Sequence, residues 1–225
     1  MIGSISKRPG LIRSLPFALY IGIMVLDPLI QTILPAWFDG RWLYGVKVGL
    51  VLAALVAFWR HYTELTQPAP TKNSDWALGL GIGVAVFILW INLDFKPLAF
   101  AAGEGFDPRA GGGFDIGLVV VRLAGAALIV PVMEELFWRS FLLRWLQQPA
   151  FLSADPMAVG LRALLINSAL FASEHRLWFA GLLAGLAYGW LYKRSGNLWV
   201  PVLAHAVTNG LLGVYVLATQ SWVLW

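Results

Sequence analysis

Apolar runs about as long as a bilayer is thick dominate this chain and decide what it can fold into. They fall at about residues 14–34, 43–60, 76–93, 115–146, 160–175, 177–193 and 197–218, and a membrane-spanning helix needs roughly 20 such residues. Runs of this kind need hydrocarbon around them. Of 225 residues, 59% are hydrophobic and only 12% are Asp, Glu, Lys or Arg, about half the ~25% of an ordinary soluble domain. The pattern predicts an all-α, polytopic bundle of about seven to eight spans, with 1–225 as a single integral membrane domain. The fourth run, at roughly 30 residues, exceeds what a bilayer needs and must tilt, protrude or break. An eighth span would come from a division of the last run near Asn209-Gly210, or from irregular pieces. A net charge of +4 without a basic stripe excludes a nucleic-acid footprint.

Lys7, Arg8 and Arg13 ahead of the first run look like a signal-peptide n-region. That run is too long for one, contains Asp27-Pro28 and lacks a small-x-small cleavage site. Cytoplasmic connections are enriched in Lys and Arg. With the N-terminus inside, Lys7, Arg8, Arg13, Arg60, Lys72, Arg139, Arg144, Arg162, Lys193 and Arg194 fall on the inner side, and Arg41, Lys96, Arg109 and Arg176 on the outer. Ten against four predicts a cytoplasmic N-terminus, in a multi-pass protein whose expected setting is a bacterial inner membrane. Lys47 and Arg122 remain inside runs. Trp37, Trp42, Trp59, Trp76, Trp145, Trp178 and Trp199 sit near run ends, where an indole suits the headgroup level. The glycine-rich loop from Gly103 to Gly113, with Glu104, Asp107 and Arg109, lacks the Gly-Lys-Ser/Thr ending of a phosphate loop and reads as a linker. With no cysteine, thiolate ligands, thiol nucleophiles and disulfides are excluded together.

Charge inside hydrocarbon costs at least ~2.5–3.5 kcal/mol per residue on insertion scales, so each such residue needs a reason. They gather in the later half: Glu134-Glu135 with Arg139, Phe171 with Glu174-His175, and His205 with Asn209. Glu135 and Arg139, four apart, share a helix face and can pair, whereas Glu134 points about 100° away and stays free. A free glutamate in an apolar pocket becomes a usable base near neutral pH. His205 and Asn209, also four apart, can donate two hydrogen bonds to one developing oxyanion. Phe171 and His175 share a face, with the phenyl ring as a wall. Each site taken alone has a structural reading: a bracing ion pair, an interfacial histidine, interhelical polar glue or a core phenylalanine. Their coincidence in consecutive runs of a chain that otherwise avoids such groups points to a functional site. Asp27 reads as a kink beside Pro28 or a partner for Arg122 or Lys47; Gln31, Asn92 and Asn167 read as packing residues.

Known ways of cutting a peptide bond within a membrane can be screened by residue type. His-Glu-x-x-His is absent, as are Gly-x-Ser-Gly and Gly-x-Gly-Asp. The ordered set Glu134-Glu135-x-x-x-Arg139, Phe171-x-x-x-His175 and His205-x-x-x-Asn209 resembles the CPBP family of intramembrane proteases, which contains CAAX prenyl endopeptidases and bacteriocin-processing relatives. The motifs cover about a third of the chain, within a motif-bearing core at 115–218. The first half carries no family signal.

The resemblance implies an intramembrane endopeptidase with a membrane-embedded cavity open toward the cytoplasm, acting on a membrane-associated protein or peptide. It gives Glu134 the role of base, His175 that of holding the water, and His205 and Asn209 that of stabilising the oxyanion. Glu135 and Arg139 brace the helix beside Phe171. It leaves two mechanisms open: direct glutamate catalysis, or a divalent metal such as zinc held by Glu134, His175 and His205. The alternatives in other classes are a non-catalytic peptide-binding or immunity protein of the same fold, and a small transporter relaying protons through Glu134, His175 and His205. One tension is visible: Glu134 lies mid-run and His175 at a run's end, so straight spans put them at different depths.

Overall fold

The computed structural model describes residues 8–101, 103 and 105–225 of the chain, leaving Lys7 and Glu104 outside the described residues. Seven long helices follow the seven apolar runs: α1 (Pro9–Ile33), α2 (Leu43–Ala57), α3 (Asn73–Asn92), α4 (Ile116–Gln147), α5 (Leu161–Ser173), α6 (Trp178–Ser195) and α7 (Trp199–Thr219). Five of them, α1, α2 with its preceding turn, α3, α4 and α7, are long and apolar enough to cross a membrane. The chain is an all-α membrane bundle. Its exterior is apolar, with Val25, Leu29, Ile33, Val56 and Leu128 all exposed, while Glu135 and Arg139 are fully buried. This inverts a soluble protein, as lipid requires. α7 runs unbroken through Asn209-Gly210, so no span arises from a division there.

Without a hydrophobic drive between helices in lipid, small residues that let backbones approach hold such a bundle together. A Cβ at Gly83 of α3 would lie 2.5 Å from the Ala204 carbonyl oxygen of α7, and Thr208 Oγ1 donates to the Gly83 carbonyl at 2.8 Å. Along α6, Gly181, Gly185 and Gly189 form a stripe against α5. A Cβ at Gly185 would stand 3.0 Å from Ser168 Cα, and one at Gly189 2.5 Å from Leu164 Cδ1.

The 32-residue α4 does not stay regular. π-helical turns at Gly125–Ile129 and Leu136–Leu143 flank the α-helical segment Val130–Glu135. Pro131 explains the first: it has no N–H to give the preceding turn, and the wider ladder absorbs the loss. Asp115 caps the helix start, its side chain accepting from Leu118 N at 3.1 Å.

Two ends of the bundle are fixed by ion pairs. At the end where α1 begins, Glu64 Oε2 is 2.6 Å from Arg13 Nη2, and Glu64 Oε1 is 3.0 Å from Arg144 Nη2, with the Ser140 hydroxyl also on that carboxylate. Burial alone would raise the Glu64 carboxyl, but the hydrogen bonds and charge of Arg13, with Arg144 beyond, hold it below the ordinary glutamate value. At the opposite end Asp39 pairs with Arg41, Asp107 with Arg109, and Asp94 with Arg176 at 2.7 Å. The glycine-rich loop folds there into a two-residue hairpin, Arg109–Ala110 against Gly113–Phe114, turned by Gly111 and Gly112 at positive φ. Asp27 partners neither Arg122 nor Lys47 among the described residues; it accepts from Gln31, one turn on in the same helix, because α1 runs on past Pro28.

Candidate active site

α5 is the short helix of the bundle. Its 13 residues rise only about 20 Å, against a hydrocarbon core of ~30 Å. The tip of the α5–α6 hairpin, Glu174–Leu177, meets the α3–α4 connection at the end of the bundle where Asp94 pairs with Arg176. The α3–α4 connection holds the tip there: Phe100 N donates to the Arg176 carbonyl at 2.8 Å, and Trp178 Nε1 to the Pro97 carbonyl at 2.9 Å. On the other flank Asn167 of α5 donates to the Trp138 carbonyl of α4 at 3.0 Å. That bond falls where the second π turn frees main-chain acceptors, so Asn167 fixes the register of α5 on α4 and is more than filling.

Glu134, His175, His205 and Asn209 all line one cavity of about 200 Å³. Glu135 Oε1 accepts from Arg139 Nη1 at 3.0 Å and lies 2.9 Å from His205 Nδ1. The carboxylate can only accept, so Nδ1 carries the proton and Nε2 faces the cavity, 3.9 Å from Glu134 Oε2. His205 is further fixed by a stacked Tyr188 ring, with centroids 5.1 Å apart. Glu134 Oε2 is buried and has no hydrogen-bond partner among the described residues. Asn209 spends one amide N–H on the Ala126 carbonyl at 2.9 Å, which leaves its second donor.

His175 Nδ1 lies 2.7 Å from the Phe171 carbonyl oxygen. A carbonyl accepts, so here too Nδ1 is the protonated nitrogen and Nε2 keeps its lone pair. Phe171 is 1% exposed and takes the Arg139 guanidinium on its face, 4.4 Å from the ring centroid. That contact joins the brace of α4 to the wall of the site.

Glu174 joins the site although sequence reasoning passed over it as a neighbour of His175. Its Oε1 accepts from Trp138 Nε1 at 3.0 Å, and ligand atoms of Glu134, Glu174 and His175 lie within 4.8 Å of one another. The signal for it was its place in a run with almost no other charge. A divalent cation would thus find Glu134, Glu174 and the free Nε2 of His175. Among the described residues the expected set of Glu134, His175 and His205 is not one such group. Two carboxylates and an imidazole are a chemically suitable donor set.

Residues 116–211 match the family model for type II CAAX prenyl endopeptidase, Rce1-like. Over that stretch the chain is similar to the Rce1-like family. The match starts at the first residue of α4 and ends in α7, so it encloses every residue of the constellation just described. The Rce1-like domain belongs to the CAAX-type intramembrane proteases, a class of hydrolase that acts on membrane-associated peptides in a bilayer. Comparison with curated proteins and with solved structures gives no match.

The cavity also has a direction. From Glu134 it runs toward Trp90, Arg122 and Trp225, at the end of the bundle opposite Arg13 and Glu64. An inside N-terminus and a cavity opening to the cytoplasm therefore exclude one another in this structure.

Proposed function

We propose that the chain hydrolyses a peptide bond of a membrane-associated protein or peptide with Glu134 as the general base. One observation carries this: the Glu134 carboxylate, unpartnered at Oε2, shares a buried cavity with two histidines whose tautomers are set by Glu135 and by the Phe171 carbonyl. A water in the cavity gives a proton to Glu134 while His175 Nε2 accepts its other hydrogen and aims the oxygen. The new C–O bond makes a tetrahedral oxyanion. Its charge is met by the second N–H of Asn209. The C–N bond then breaks as Glu134 passes its proton to the leaving amine.

A divalent cation on Glu134, Glu174 and His175 would supply Lewis-acid polarisation of the substrate carbonyl. The direct glutamate route is preferred because it uses every donor as the structure orients it. The positive flanks favour a cytoplasmic N-terminus, which puts the cavity mouth on the outer side.

The test is processing of a native membrane substrate by purified variants in nanodiscs. Glu134→Gln, nearly isosteric, should lower kcat about 10²–10⁴-fold with unchanged thermal unfolding. Asn209→Ala should lower it about 10²–10³-fold. Activity should survive exhaustive EDTA. Full processing by well-folded Glu134→Gln would refute the assignment, and continued substrate capture by that variant without any wild-type cleavage would identify a binding protein.

A further inference from the structure

A short segment that follows α7 closes the outer end of the cavity. Leu224 and Trp225 line the cavity that holds Glu134, and both also line a second cavity, of about 140 Å³, beside Arg176 and Leu177 at the hairpin tip. Trp90, whose ring meets His175 edge to face with centroids 5.3 Å apart, lines both as well. Three apolar side chains therefore stand as a partition between the reacting groups and the outer cavity. The inner cavity, at about 200 Å³, is smaller than the ~300–1,000 Å³ of a usual ligand pocket. Joined to the outer one, it reaches the lower end of that range.

Rings hold this segment, with little help from main-chain hydrogen bonds. It starts after Gln220, which ends α7 in the left-handed region at φ 58° and whose side chain accepts from Arg109 Nη1 at 2.8 Å. Its single turn, Trp222–Leu224, closes on itself, with Trp225 N donating to the Trp222 carbonyl at 2.9 Å. Among the described residues one main-chain hydrogen bond ties it to a distant element, from Phe106 N to the Trp222 carbonyl, and it is 3.4 Å long. The rest is packing: the Trp225 ring lies 6.0 Å from Phe106 and 5.8 Å from the Arg122 guanidinium carbon, and Trp222 takes Phe114 at 6.2 Å and Arg109 at 5.3 Å. Elements held in this way open locally while the rest of a fold stays intact. The seat is shaped for close approach. Gly105 has φ 76°, and a Cβ there would run into the Trp222 carbonyl and lie 2.6 Å from Val223 N.

We infer that Ser221–Trp225 is a gate over the catalytic cavity. It swings on Gln220 away from the loop at Gly105, Leu224 and Trp225 leave the cavity, and the two spaces join into one cleft that reaches Glu134. What the gate controls rests on the reading of Glu134 as the base; its existence rests on the geometry alone. With the gate closed, the inner cavity has no room for the residues on both sides of a peptide bond. With it open, Trp90 and Tyr44 remain as the wall along which a peptide lies. Closure keeps the base away from bulk water between turnovers, as the lids of other enzymes do.

The test places a thiol inside the cavity of a chain that has none of its own. Ala126→Cys puts it on the cavity wall. The full chain in phosphatidylcholine nanodiscs is treated with 2-sulfonatoethyl methanethiosulfonate, and the rate of modification is read by mass spectrometry. Behind an intact gate the thiol should react slowly. Adding Trp225→Ala should speed it at least about tenfold, and so should Gly105→Val, which changes no residue of the cavity wall and acts only by lifting the segment from its seat. Trp225→Phe, which keeps a ring, should fall between the two while certifying the fold. A second reporter, Ala163→Cys in the core with Ile12 and Tyr62, should stay protected in every background. Equal rates at Ala126→Cys with and without the opening substitutions overturn the proposal. So does an equal acceleration at Ala163→Cys, since the substitutions would then loosen the whole bundle. Faster labelling confined to Ala126→Cys upholds the gate even if no form of the protein cuts a substrate, so the gate and the proteolytic reading fail separately.

Discussion

Glu135 Oε1 and His205 Nδ1 lie 2.9 Å apart across 70 residues of sequence, tying the π-distorted middle of α4 to α7. Arg139 holds the same oxygen from one turn along at 3.0 Å. The carboxylate is thus both the brace of the bundle and the group that sets which nitrogen of His205 meets the cavity.

Those two roles separate by mutation. Glu135→Gln keeps the shape and a hydrogen-bond acceptor but removes the charge that orients the His205 ring through Nδ1. It should lower kcat on the order of 10²-fold with little change in KM. Arg139→Ala leaves the fully buried Glu135 carboxylate without its arginine and with only the His205 Nδ1 hydrogen bond, and should destabilise the protein by about 3–5 kcal/mol. Denaturation in mild detergent beside single-turnover kinetics measures both, and equal stability loss in the two variants would contradict the division.

Helix contact through small residues predicts a steric response. Gly185→Val pushes into Ser168 Cα, only 3.0 Å from where a Cβ would sit, and overpacking of this kind costs about 1–3 kcal/mol. The α5–α6 hairpin would swing and carry His175 with it. Reduced thermal stability should therefore come with a proportionally larger loss of activity, whereas Gly22→Ala, with open space around it, should change neither.

At the hairpin tip the Arg176 hydrogen bonds and charge hold the Asp94 carboxyl below its ordinary value. A depressed folded pKa means that the pairing contributes fully above the unfolded value of about 3.9 and is lost as pH falls through the lower folded value. The Tm difference between wild type and Asp94→Asn should be present at neutral pH and close only below about pH 4. A difference that persisted unchanged at pH 2, or one that was absent at pH 7, would show that the pair does not clamp the tip.

Because the chain contains no cysteine, single-cysteine variants report orientation cleanly. A cytoplasmic N-terminus predicts that Gly112→Cys, in the hairpin at the cavity end, reacts with a membrane-impermeant maleimide on intact cells, and that Ser153→Cys at the opposite end does not. The reverse labelling would turn the cavity to the cytoplasm.

Much of the site could be read from residue types because intramembrane charge is scarce. The pairing of Glu135 with Arg139 followed from spacing by four, and so did the freedom of Glu134. Depth was illegible, since apolar runs 160–175 and 177–193 look like spans and nothing in them says that α5 closes after 13 residues. Helical periodicity was equally blind to the π turns, the second of which opens the Trp138 carbonyl to Asn167. Glu174 escaped because its partner, the Trp138 indole, stands 36 positions away on another helix. The Gly181, Gly185 and Gly189 stripe was present at spacing four, yet its meaning needed the neighbour that fills it.

The shortness of α5 acts on the membrane as well as on the site. A helix rising about 20 Å beside neighbours that span ~30 Å cannot match the hydrocarbon thickness, and the lipid along that flank must thin or admit water. The mismatch falls on the side of the bundle that carries His175. A membrane-associated peptide approaching along that flank would have less hydrocarbon to leave before it reached His175.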